Sequence, residues 1–278
     1  MIRPAPGDSE IELRLLIDAI YLKYHYDFRE YAAASLKRRV KSAMLKFNCA
    51  TLSQLQDRVL HDPAIFPALL DVLTVPVSEM FRDPGYFRSL RETVVPLLRT
   101  YPSLKVWVAG CSTGEEAWSI AILLREEGLL SRALIYATDI NPQVLQKAEA
   151  GVYEADRIAG FTENHRRSGA RSSLSDYYQA AYGLAVFDKA LRRHLVFSDH
   201  SLATDSVFAE VQLVSCRNVL IYFNRALQDR AVGLFRDALC RKGFLGIGAK
   251  ESLRFSACAD AFTALVPDDR IFQKRDAA

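Results

Sequence analysis

The residues best suited to hold a small ligand lie in the run LKVWVAGCSTGEEAWSIAILL, residues 104–124. Residues 104–109 form a short apolar stretch, which predicts a parallel strand covered on both faces. Gly110 and Gly114 follow as a permissive turn, and apolar residues then recur at helical spacing. A helix that begins at such a turn presents free backbone N–H groups and a partial positive charge to a ligand. We therefore expect Gly110 to line a ligand-binding turn.

Two acidic residues in the first turn of this helix restrict the chemistry of the ligand. Carboxylates at Glu115 and Glu116 disfavour a phosphate there, and the turn is not GxGxxG, which argues against a nicotinamide dinucleotide. A ligand that carries a cation and hydroxyl groups, such as S-adenosylmethionine, fits better. The two glutamates could instead merely complement the helix dipole, and the turn alone does not distinguish the two interpretations.

A second predicted strand, residues 133–139, ends in an acid. In doubly wound sheets, an acid about 20 residues beyond the glycine turn accepts hydrogen bonds from ribose hydroxyls. Asp139 lies at about that separation from Gly114. Either Asp139 or Asn141 could instead cap the helix that follows. The combination of turn and acid favours the ligand.

A third strand end is also polar. An apolar rise at residues 211–214 ends in SCRN, residues 215–218, and a doubly wound sheet places its ligand at this edge. Asn224 then predicts the N-cap of a long amphipathic helix that ends near Leu239, before another strand.

Composition sets the outer bounds. The 278 residues, 50% of them apolar, are enough for a full core and predict a small domain beside a larger one. No apolar run reaches membrane-spanning length, and the first ten residues lack a signal-peptide pattern, so we expect a cytoplasmic protein. The five cysteines are odd in number and widely spaced, which predicts reduced thiols. Neither they nor the five histidines form a metal-ligand pattern.

The chain divides into three predicted parts. Helical periodicity from residue 11 to residue 73 predicts an all-helical N-terminal domain, residues 1–75. A proline-rich connector at residues 76–103 contains one helix and brings Arg82 beside the pocket, and residues 104–278 form the ligand-binding α/β domain. Periodicity is lost at about residues 170–193, which predicts an inserted antiparallel subdomain. Within it, residues 177–180 and 184–187 are expected to pair as a hairpin.

Positive charge is concentrated in one helical stretch of the N-terminal domain. No acidic residue lies between Glu30 and Asp57, whereas this stretch carries five cations: Lys37, Arg38, Arg39, Lys41 and Lys46. An apolar face at helical spacing packs the helix, so we expect most of the basic side chains to project outward. This surface is either a solvated helix face or a docking site for an acidic protein partner. Nucleic acid is not the expected partner, because the patch is short and lacks aromatic stacking residues.

Four motifs together resemble the chemotaxis receptor glutamate O-methyltransferases of the CheR type. They are MFRDP at residues 80–84, AGCSTGEEAWS at 109–119, ATDIN at 137–141 and CRNVLIYF at 216–223. The resemblance covers nearly the whole chain. It implies a Rossmann-like α/β sheet that binds S-adenosylmethionine, with an all-helical N-terminal domain and a small inserted antiparallel β-subdomain. This fold class agrees with the organisation predicted from the sequence pattern.

The resemblance also implies site residues. Contacts to S-adenosylmethionine fall on Arg82, Glu116, Asp139 and Asn218, with Arg217 beside Asn218 in the same motif. Ser201 and Leu202 match an Asn-Leu contact of the family less closely, and Ser78 stands where members often have threonine. Tyr222 matches a tyrosine that lines the methyl-transfer site, to which Arg82 also belongs. Where many members have GHSE, this chain has GAKES at residues 248–252, which leaves the role of Lys250 open.

The function implied is transfer of a methyl group from S-adenosylmethionine to glutamate side chains of a helical chemoreceptor or similar sensory protein, without a metal. A glutamate carboxylate is ionised at neutral pH and attacks a sulfonium methyl group without a general base, so alignment is the main requirement. The docking surface is then Lys37, Arg38, Arg39 and Lys41. The short AYG connection of the hairpin suggests action without a tethering peptide on the receptor.

Two other function classes remain open. A methyltransferase for a small molecule or nucleic acid shares the ligand residues but does not need the basic helical domain. A module that senses S-adenosylmethionine without catalysis is the other class, and the presence of Arg82, Asn218 and Tyr222 argues against it.

Overall fold

The computed structural model describes residues 7–254 and 256–276. The chain forms two compact units. The first, here called the helical unit, comprises Met1–Val75 together with Ile221–Gln228. The second, the sheet unit, comprises Pro76–Leu220 and Asp229–Ala278.

The helical unit is built from amphipathic helices. Its described helices are α1 (Asp8–Tyr24), α2 (Ala33–Lys46), α3 (Leu52–His61) and α4 (Ile65–Thr74). Thr51 caps α3, because its side chain accepts a hydrogen bond from the backbone N–H of Gln54. The apolar faces meet in a core whose fully buried members include Leu16, Ile20, Phe28, Leu55 and Leu69. The all-helical character predicted for this part of the chain is confirmed.

A short segment from late in the chain completes the helical unit. Tyr31 and Phe223 form an isolated antiparallel bridge, and their rings meet edge to face at 5.0 Å. The backbone N–H of Ala32 donates to the carbonyl of Tyr222 at 2.9 Å, and the N–H of Asn224 donates to the carbonyl of Glu30 at 2.9 Å. Sequence periodicity contained no signal for this pairing, since the two segments lie far apart in the chain.

The sheet unit contains a seven-stranded sheet in its described part. Its strands are β1 (Leu104–Ala109), β2 (Ala133–Asp139), β6 (Leu195–Asp199), β7 (Val211–Cys216), β8 (Leu239–Ile247), β9 (Phe262–Val266) and β10 (Ile271–Lys274). The spatial order is β6-β2-β1-β7-β8-β10-β9. The first five of these are parallel, and β10 runs antiparallel to both β8 and β9. The predicted Rossmann-like α/β class is confirmed.

Helices connect and cover these strands. They are α5 (Pro84–Ser89), α6 (Val95–Leu98), α7 (Glu115–Glu126), α8 (Pro142–Ala150), α9 (Ile158–Arg167), α10 (Lys189–Arg192) and α11 (Arg225–Ala238). A π-helical turn, Leu90–Val94, joins α5 to α6. The strand β1 is buried along nearly its whole length, as its continuous apolar run predicts for a strand covered on both faces.

A second, smaller sheet has the order β3-β5-β4, with β3 (Val152–Glu154), β4 (Tyr178–Ala181) and β5 (Leu184–Phe187). The predicted hairpin is confirmed: β4 and β5 pair antiparallel, with Tyr178 opposite Phe187 and Ala181 opposite Leu184. Its two-residue turn, Tyr182 and Gly183, has positive φ at both positions, as a tight hairpin turn requires. The third strand, β3, was not predicted, because three residues are too few to show a period.

Across residues 7–254 and 256–276, no helix combines the length and apolar character needed to span a bilayer. Within the same residues, no group of three or more histidine, cysteine or acidic side chains is arranged to hold a metal ion.

Register brings the predicted site residues to one edge of the large sheet. Ala109 lies opposite Thr138, Asp139 lies opposite Asp199, and Val108 lies opposite Ser215. Because β6, β2, β1 and β7 are parallel neighbours, their carboxyl ends share an edge, where a doubly wound sheet binds its ligand.

Candidate functional site

The turn after β1 is fixed to the neighbouring strand. The backbone N–H groups of Gly110 and Cys111 both donate to the carbonyl of Thr138, at 2.8 and 2.9 Å. Gly110 has φ +74°, and a Cβ there would lie 2.5 Å from a methyl group of Val219. Only glycine fits this position. The absence of a side chain leaves the backbone of Gly110 accessible at the start of the site.

Asp139 is held by the same turn. One of its carboxylate oxygens accepts the backbone N–H of Ser112 at 2.9 Å, and the other accepts that of Asn141 at 3.1 Å. Burial raises the pKa of Asp139, although the backbone hydrogen bonds from Ser112, Asn141 and Ile140 oppose the rise. Each oxygen keeps acceptor capacity for a ligand hydroxyl.

The capping question left open by the sequence is answered at α8. The side chain of Asn141 accepts the backbone N–H of Gln143 at 2.9 Å, so Asn141 is the N-cap. Asp139 is therefore not needed as the cap, and its carboxylate faces the turn after β1 instead.

Glu116 is the acidic end of a hydrogen-bonded chain. It accepts the hydroxyl of Ser215 at 2.6 Å through Oε1 and lies 3.4 Å from Nη1 of Arg217 through Oε2. The hydroxyl of Tyr86 lies 2.7 Å from Oγ of Ser215, and it donates there because Ser215 donates to Glu116. Burial raises the pKa of Tyr86, which keeps this hydroxyl protonated. Glu116 is thus held in place from two sides.

Arg217 joins Glu116 to the MFRDP loop. Its side chain is nearly inaccessible, and Nη2 donates to the carbonyl of Arg82 at 2.8 Å and to the carboxylate of Asp83 at 2.7 Å. The guanidinium also lies over the ring of Tyr86, 4.2 Å from its centroid. These internal partners hold Arg217 within the site, and its contact with the ligand stays a prediction.

Arg82 contrasts with Arg217. It is partly exposed, and its guanidinium makes no hydrogen bond or ion pair with the residues that the structure describes. Its neighbours are fixed, because the N–H of Phe81 donates to Ser119 at 2.9 Å and Asp83 is paired with Arg217. The result is an unpaired cation on an anchored backbone.

The two glutamates at the start of α7 have different environments. Glu115 is fully buried, pairs with Arg157 at 2.9 Å and accepts the hydroxyl of Thr113 at 2.7 Å. Arg157 also donates to the carbonyl of Ser78 at 2.5 Å. Glu115 is therefore an internal ion-pair partner as well as a helix-dipole partner, and it links Ser78 to the start of α7.

Asn218 is supported by the segment that departs from the family motif. Its backbone N–H donates to Oε2 of Glu251 at 3.1 Å, and that oxygen also accepts the N–H of Gly248 at 2.6 Å. Glu251 is buried, whereas Lys250 is exposed. Asn218 has φ +61°, which places its backbone in the left-handed region that asparagine tolerates.

The loop after β6 is tied to the same edge. The N–H of His200 donates to the carbonyl of Asp139 at 3.2 Å. The next residue, Ser201, donates its N–H to the carboxylate of Asp205 at 2.9 Å, and Leu202 is buried. Ser201 and Leu202 therefore follow directly after β6, whose last residue, Asp199, lies opposite Asp139.

Within the helical unit, one docking prediction is corrected. Lys37, Arg38 and Lys41 are exposed, as predicted for a docking surface. Arg39 is only 4% exposed and lies on the packed face of α2 with Leu36, Val40 and Ala43. Arg39 therefore does not belong to the docking surface. Its guanidinium lies 4.1 Å from the ring centroid of the half-buried Tyr222.

Sequence reasoning missed several supporting residues. Tyr86, Ser215, Asp83 and Glu251 hold the predicted contacts in place, and Arg157 holds Glu115. Only Ser215 carried a usable signal, as a polar residue that ends an apolar strand.

The residues present suit S-adenosylmethionine. Glu116 and Asp139 are acceptors for cationic and hydroxyl groups, and Arg82, whose guanidinium pairs with none of the described residues, suits a carboxylate. Two buried polar atoms, Oγ of Ser112 and Nε of Arg217, have no hydrogen-bond partner among the described residues. Such orphaned atoms are rare in native structures unless a ligand or water meets them.

Family models match most of the chain. Residues 76–265 match the model described as "CheR methyltransferase, SAM binding domain". Residues 11–74 match the model described as "CheR methyltransferase, all-alpha domain".

Individual relatives agree with these matches. The chain is 61% identical over 267 residues to "Putative methyltransferase Cher3" of Pseudomonas putida, which covers 96% of this chain and 98% of the relative. It is 33% identical over 229 residues to "Chemotaxis protein methyltransferase" of Listeria innocua, covering 82% of this chain and 84% of the relative.

Among solved structures, the N-methyltransferase NodS of Bradyrhizobium japonicum, bound to S-adenosyl-L-homocysteine, has a TM-score of 0.40 at 14% identity. That match covers 72% of this chain and 90% of NodS.

Proposed function

Because the chain belongs to the CheR methyltransferase family, we propose that it methylates glutamate side chains on the cytoplasmic helical domain of a chemoreceptor or similar sensory protein. Family membership makes the chain an S-adenosylmethionine-dependent methyltransferase; the glutamate acceptor is the proposal. The observation that carries it is the guanidinium of Arg82, which makes no pair with the described residues, on a backbone whose carbonyl accepts a hydrogen bond from Arg217. A fixed cation of this kind suits a carboxylate ligand.

Each predicted contact has a defined role in this proposal. Asp139 accepts ribose hydroxyls, and Glu116 faces the positively charged part of S-adenosylmethionine. Gly110 and Ser78 border the bound molecule, while Ser201 and Leu202 contact the base. Asn218 hydrogen-bonds the bound molecule through its side-chain amide. Arg217 holds the carboxylate of Glu116 and the backbone of Arg82 in position.

The chemistry follows from the charges. S-adenosylmethionine supplies a methyl group on a sulfonium: as a carboxylate oxygen bonds to the methyl carbon, the carbon–sulfur bond breaks, its electrons stay on sulfur, and S-adenosylhomocysteine leaves. The acceptor glutamate is already ionised at neutral pH, so the protein needs no general base. Its residues contribute alignment, and well-oriented reactions gain roughly 7 to 11 kcal/mol in this way.

Two residues orient the reacting groups in the proposal. Arg82 directs a carboxylate through its guanidinium, whose fork of N–H donors matches two carboxylate oxygens. Tyr222 presents a hydroxyl that donates a hydrogen bond to the acceptor carboxylate. These two residues are the proposed catalytic residues.

The partner is recognised through charge. Lys37, Arg38 and Lys41 project from α2 into solvent and suit an acidic face of a helical receptor domain. The hairpin turn at Tyr182 and Gly183 is only two residues long, and we propose that the enzyme acts without a tethering peptide. Pulldown with receptors that have or lack a C-terminal tail tests this part.

Transfer of a tritiated methyl group to purified receptor cytoplasmic domains tests the function. We expect label on the wild-type receptor that is released as methanol by mild base, which identifies a carboxyl methyl ester. A receptor whose candidate glutamates are replaced by alanine serves as the control. Label that resists base, or label found on metabolites or nucleic acid instead of receptor, contradicts the glutamate assignment. Tight S-adenosylmethionine binding with no transfer to any acceptor indicates a sensing module.

A further inference from the structure

Tyr222 is held by the helical unit. Its carbonyl accepts the N–H of Ala32 at 2.9 Å, and the next residue, Phe223, bridges to Tyr31. The side-chain amide of Asn224 donates to the carboxylate of Glu30 at 2.5 Å. The backbone on both sides of the ring is therefore anchored to the loop that leads into α2.

Arg39 contacts the ring of Tyr222 from α2. Its guanidinium lies 4.1 Å from the ring centroid, and Nη1 donates to the carbonyl of Leu73. Its Nε and Nη2 atoms are buried and have no hydrogen-bond partner among the described residues. Burial lowers the pKa of Arg39, whereas the nearby Tyr222 and Tyr31 raise it.

The ring of Tyr222 therefore helps to compensate for this buried charge, together with the carbonyl of Leu73. An arginine stays protonated in proteins, and removing its charge from water is unfavourable unless nearby groups replace the lost hydration. The negative face of an aromatic ring does so when a guanidinium lies within about 6 Å of its centroid. Any tilt of the Tyr222 ring weakens this contact, so Arg39 restricts the orientation of the ring and of its hydroxyl.

The contact with Arg39 also affects which part of Tyr222 can interact with a ligand. One face of the ring already meets a cation, and a second cation on the same ring is disfavoured by like-charge repulsion and by the shared quadrupole. Tyr222 is thus better suited to act through its hydroxyl than to pack against a sulfonium.

We infer that Arg39 is a positioning residue for methyl transfer, which acts by fixing the ring of Tyr222 and does not touch the substrate. The inference rests on the proposed function, in which the Tyr222 hydroxyl donates to the acceptor carboxylate. The inference also gives the basic residues of α2 two different roles. Arg38 and Lys41 face solvent and serve docking, whereas Arg39 faces inward and aligns Tyr222.

Two substitutions at Arg39 and one at an exposed arginine of α1 test the inference. Arg39→Met removes the charge at similar length, and Arg39→Lys keeps the charge without the planar stack. Arg14→Gln is the control, because Arg14 is exposed and lies outside the proposed docking and catalytic residues. We expect Arg39→Met to lower kcat about 10- to 100-fold, as a misplaced catalytic group does, with S-adenosylmethionine affinity unchanged within twofold. Arg14→Gln is expected to leave kcat unchanged. A folded Arg39→Met or Arg39→Lys enzyme with wild-type kcat overturns the inference.

A double-mutant cycle separates positioning from general stability. In a Tyr222→Phe background, Arg39→Met is expected to cause little further loss of kcat, because the hydroxyl that Arg39 positions is absent. Fully additive losses, or wild-type kcat in Tyr222→Phe itself, overturn the inference.

An NMR measurement keeps this test independent of the proposed function. A 19F label on the Tyr222 ring is expected to report one narrow environment in wild type and in Arg14→Gln, and averaged motion in Arg39→Met. Unchanged ring dynamics in Arg39→Met overturn the inference. Failure of wild type to methylate any receptor contradicts only the proposed function, since the ring measurement still determines whether Arg39 fixes Tyr222.

Discussion

The buried guanidinium of Arg217 donates a hydrogen bond to the backbone carbonyl of Arg82 at 2.8 Å. The buried Arg217 thereby sets the backbone position of Arg82. The guanidinium of Arg82 itself makes no pair with the described residues. The same side chain of Arg217 contacts Glu116 and Asp83, so three polar groups from different segments are held together at one point. This arrangement predicts different outcomes for the two arginines.

Arg82→Ala and Arg217→Met are expected to separate binding from stability. Arg82→Ala removes a partly exposed cation and weakens S-adenosylmethionine binding about 10-fold or more, while the free energy of unfolding stays within about 0.5 kcal/mol of wild type. Arg217→Met leaves the carboxylate of Asp83 without its partner and that of Glu116 without its cation, and lowers the free energy of unfolding by about 1 to 3 kcal/mol. Calorimetric titration and urea unfolding measure the two quantities. Equal loss of stability in both variants contradicts this division.

Asp139→Asn is expected to weaken S-adenosylmethionine binding about 10- to 100-fold, because a charged acceptor of ribose hydroxyls is replaced by a neutral amide. Asp188→Asn is the matched control, since Asp188 accepts the N–H of Ala190 at the start of α10 and holds none of the proposed contact residues. Isothermal titration measures both affinities. Wild-type affinity in Asp139→Asn removes Asp139 from the binding site.

Gly110→Ala is expected to destabilise the protein by about 2 to 5 kcal/mol, the sum of a left-handed backbone and an overpacked contact. The added Cβ lies 2.5 Å from Val219 at φ +74°. Gly128→Ala isolates the backbone contribution, because Gly128 has φ +69° with no atom within 4 Å of its Cβ position. We expect Gly128→Ala to lower the free energy of unfolding by about 1 to 2 kcal/mol. Thermal unfolding of both variants distinguishes them, and equal costs show that the Val219 contact is unimportant.

Glu126 is expected to make stability depend on acid pH. Burial alone raises the pKa of Glu126, but hydrogen bonds from His165 and Ser172 and the charge of Arg91 lower it to about 2. A carboxyl whose folded pKa lies below its unfolded value of 4.5 stabilises the protein above pH 4.5 and loses this contribution as pH falls towards 2. The contribution is about 3 kcal/mol at neutral pH.

Urea unfolding of wild type and Glu126→Gln between pH 7 and pH 2.5 measures this effect. We expect the wild-type advantage to be largest at pH 7 and to shrink below pH 4.5. A constant difference across the whole range shows that Glu126 does not titrate in this way.

Charge reversal on α2 is expected to impair docking only. Arg38→Glu with Lys41→Glu should raise the receptor KM at low salt and reduce its dependence on ionic strength, without changing S-adenosylmethionine affinity. Lys105→Glu is a control of the same sign, because Lys105 is exposed in the sheet unit, at the end of β1 that is far from Gly110. Methylation kinetics that are identical across ionic strength in wild type and in the reversed variant remove α2 as the docking surface.

Local sequence signals were sufficient for most of the elements. The apolar run before Gly110, the alternation of strands and helices and the hairpin around Tyr182 each depend on residues close together in the chain. The parallel arrangement of strands then brings Gly110, Asp139 and Arg217 to one edge without further information.

The supporting interactions were beyond such signals, because their partners are distant. Tyr86 and Ser215 are separated by 129 positions, and Glu116 and Arg217 by 101. No local period relates such pairs. Asn141 rather than Asp139 caps α8 for a similar reason, since the choice depended on how Asp139 meets the turn after β1.

The sequence by itself determined the family, the fold class, and the residue types that can hold S-adenosylmethionine, because these depend on motifs and local periodicity. Only the tertiary structure decided which of the cations are free and which are buried. Arg38 and Arg39 are adjacent and chemically alike, yet one is exposed and the other stacks on Tyr222. Arg82 and Arg217 differ in the same way. The environment of a guanidinium is set by packing against segments far away in the chain, and charge alone does not specify it.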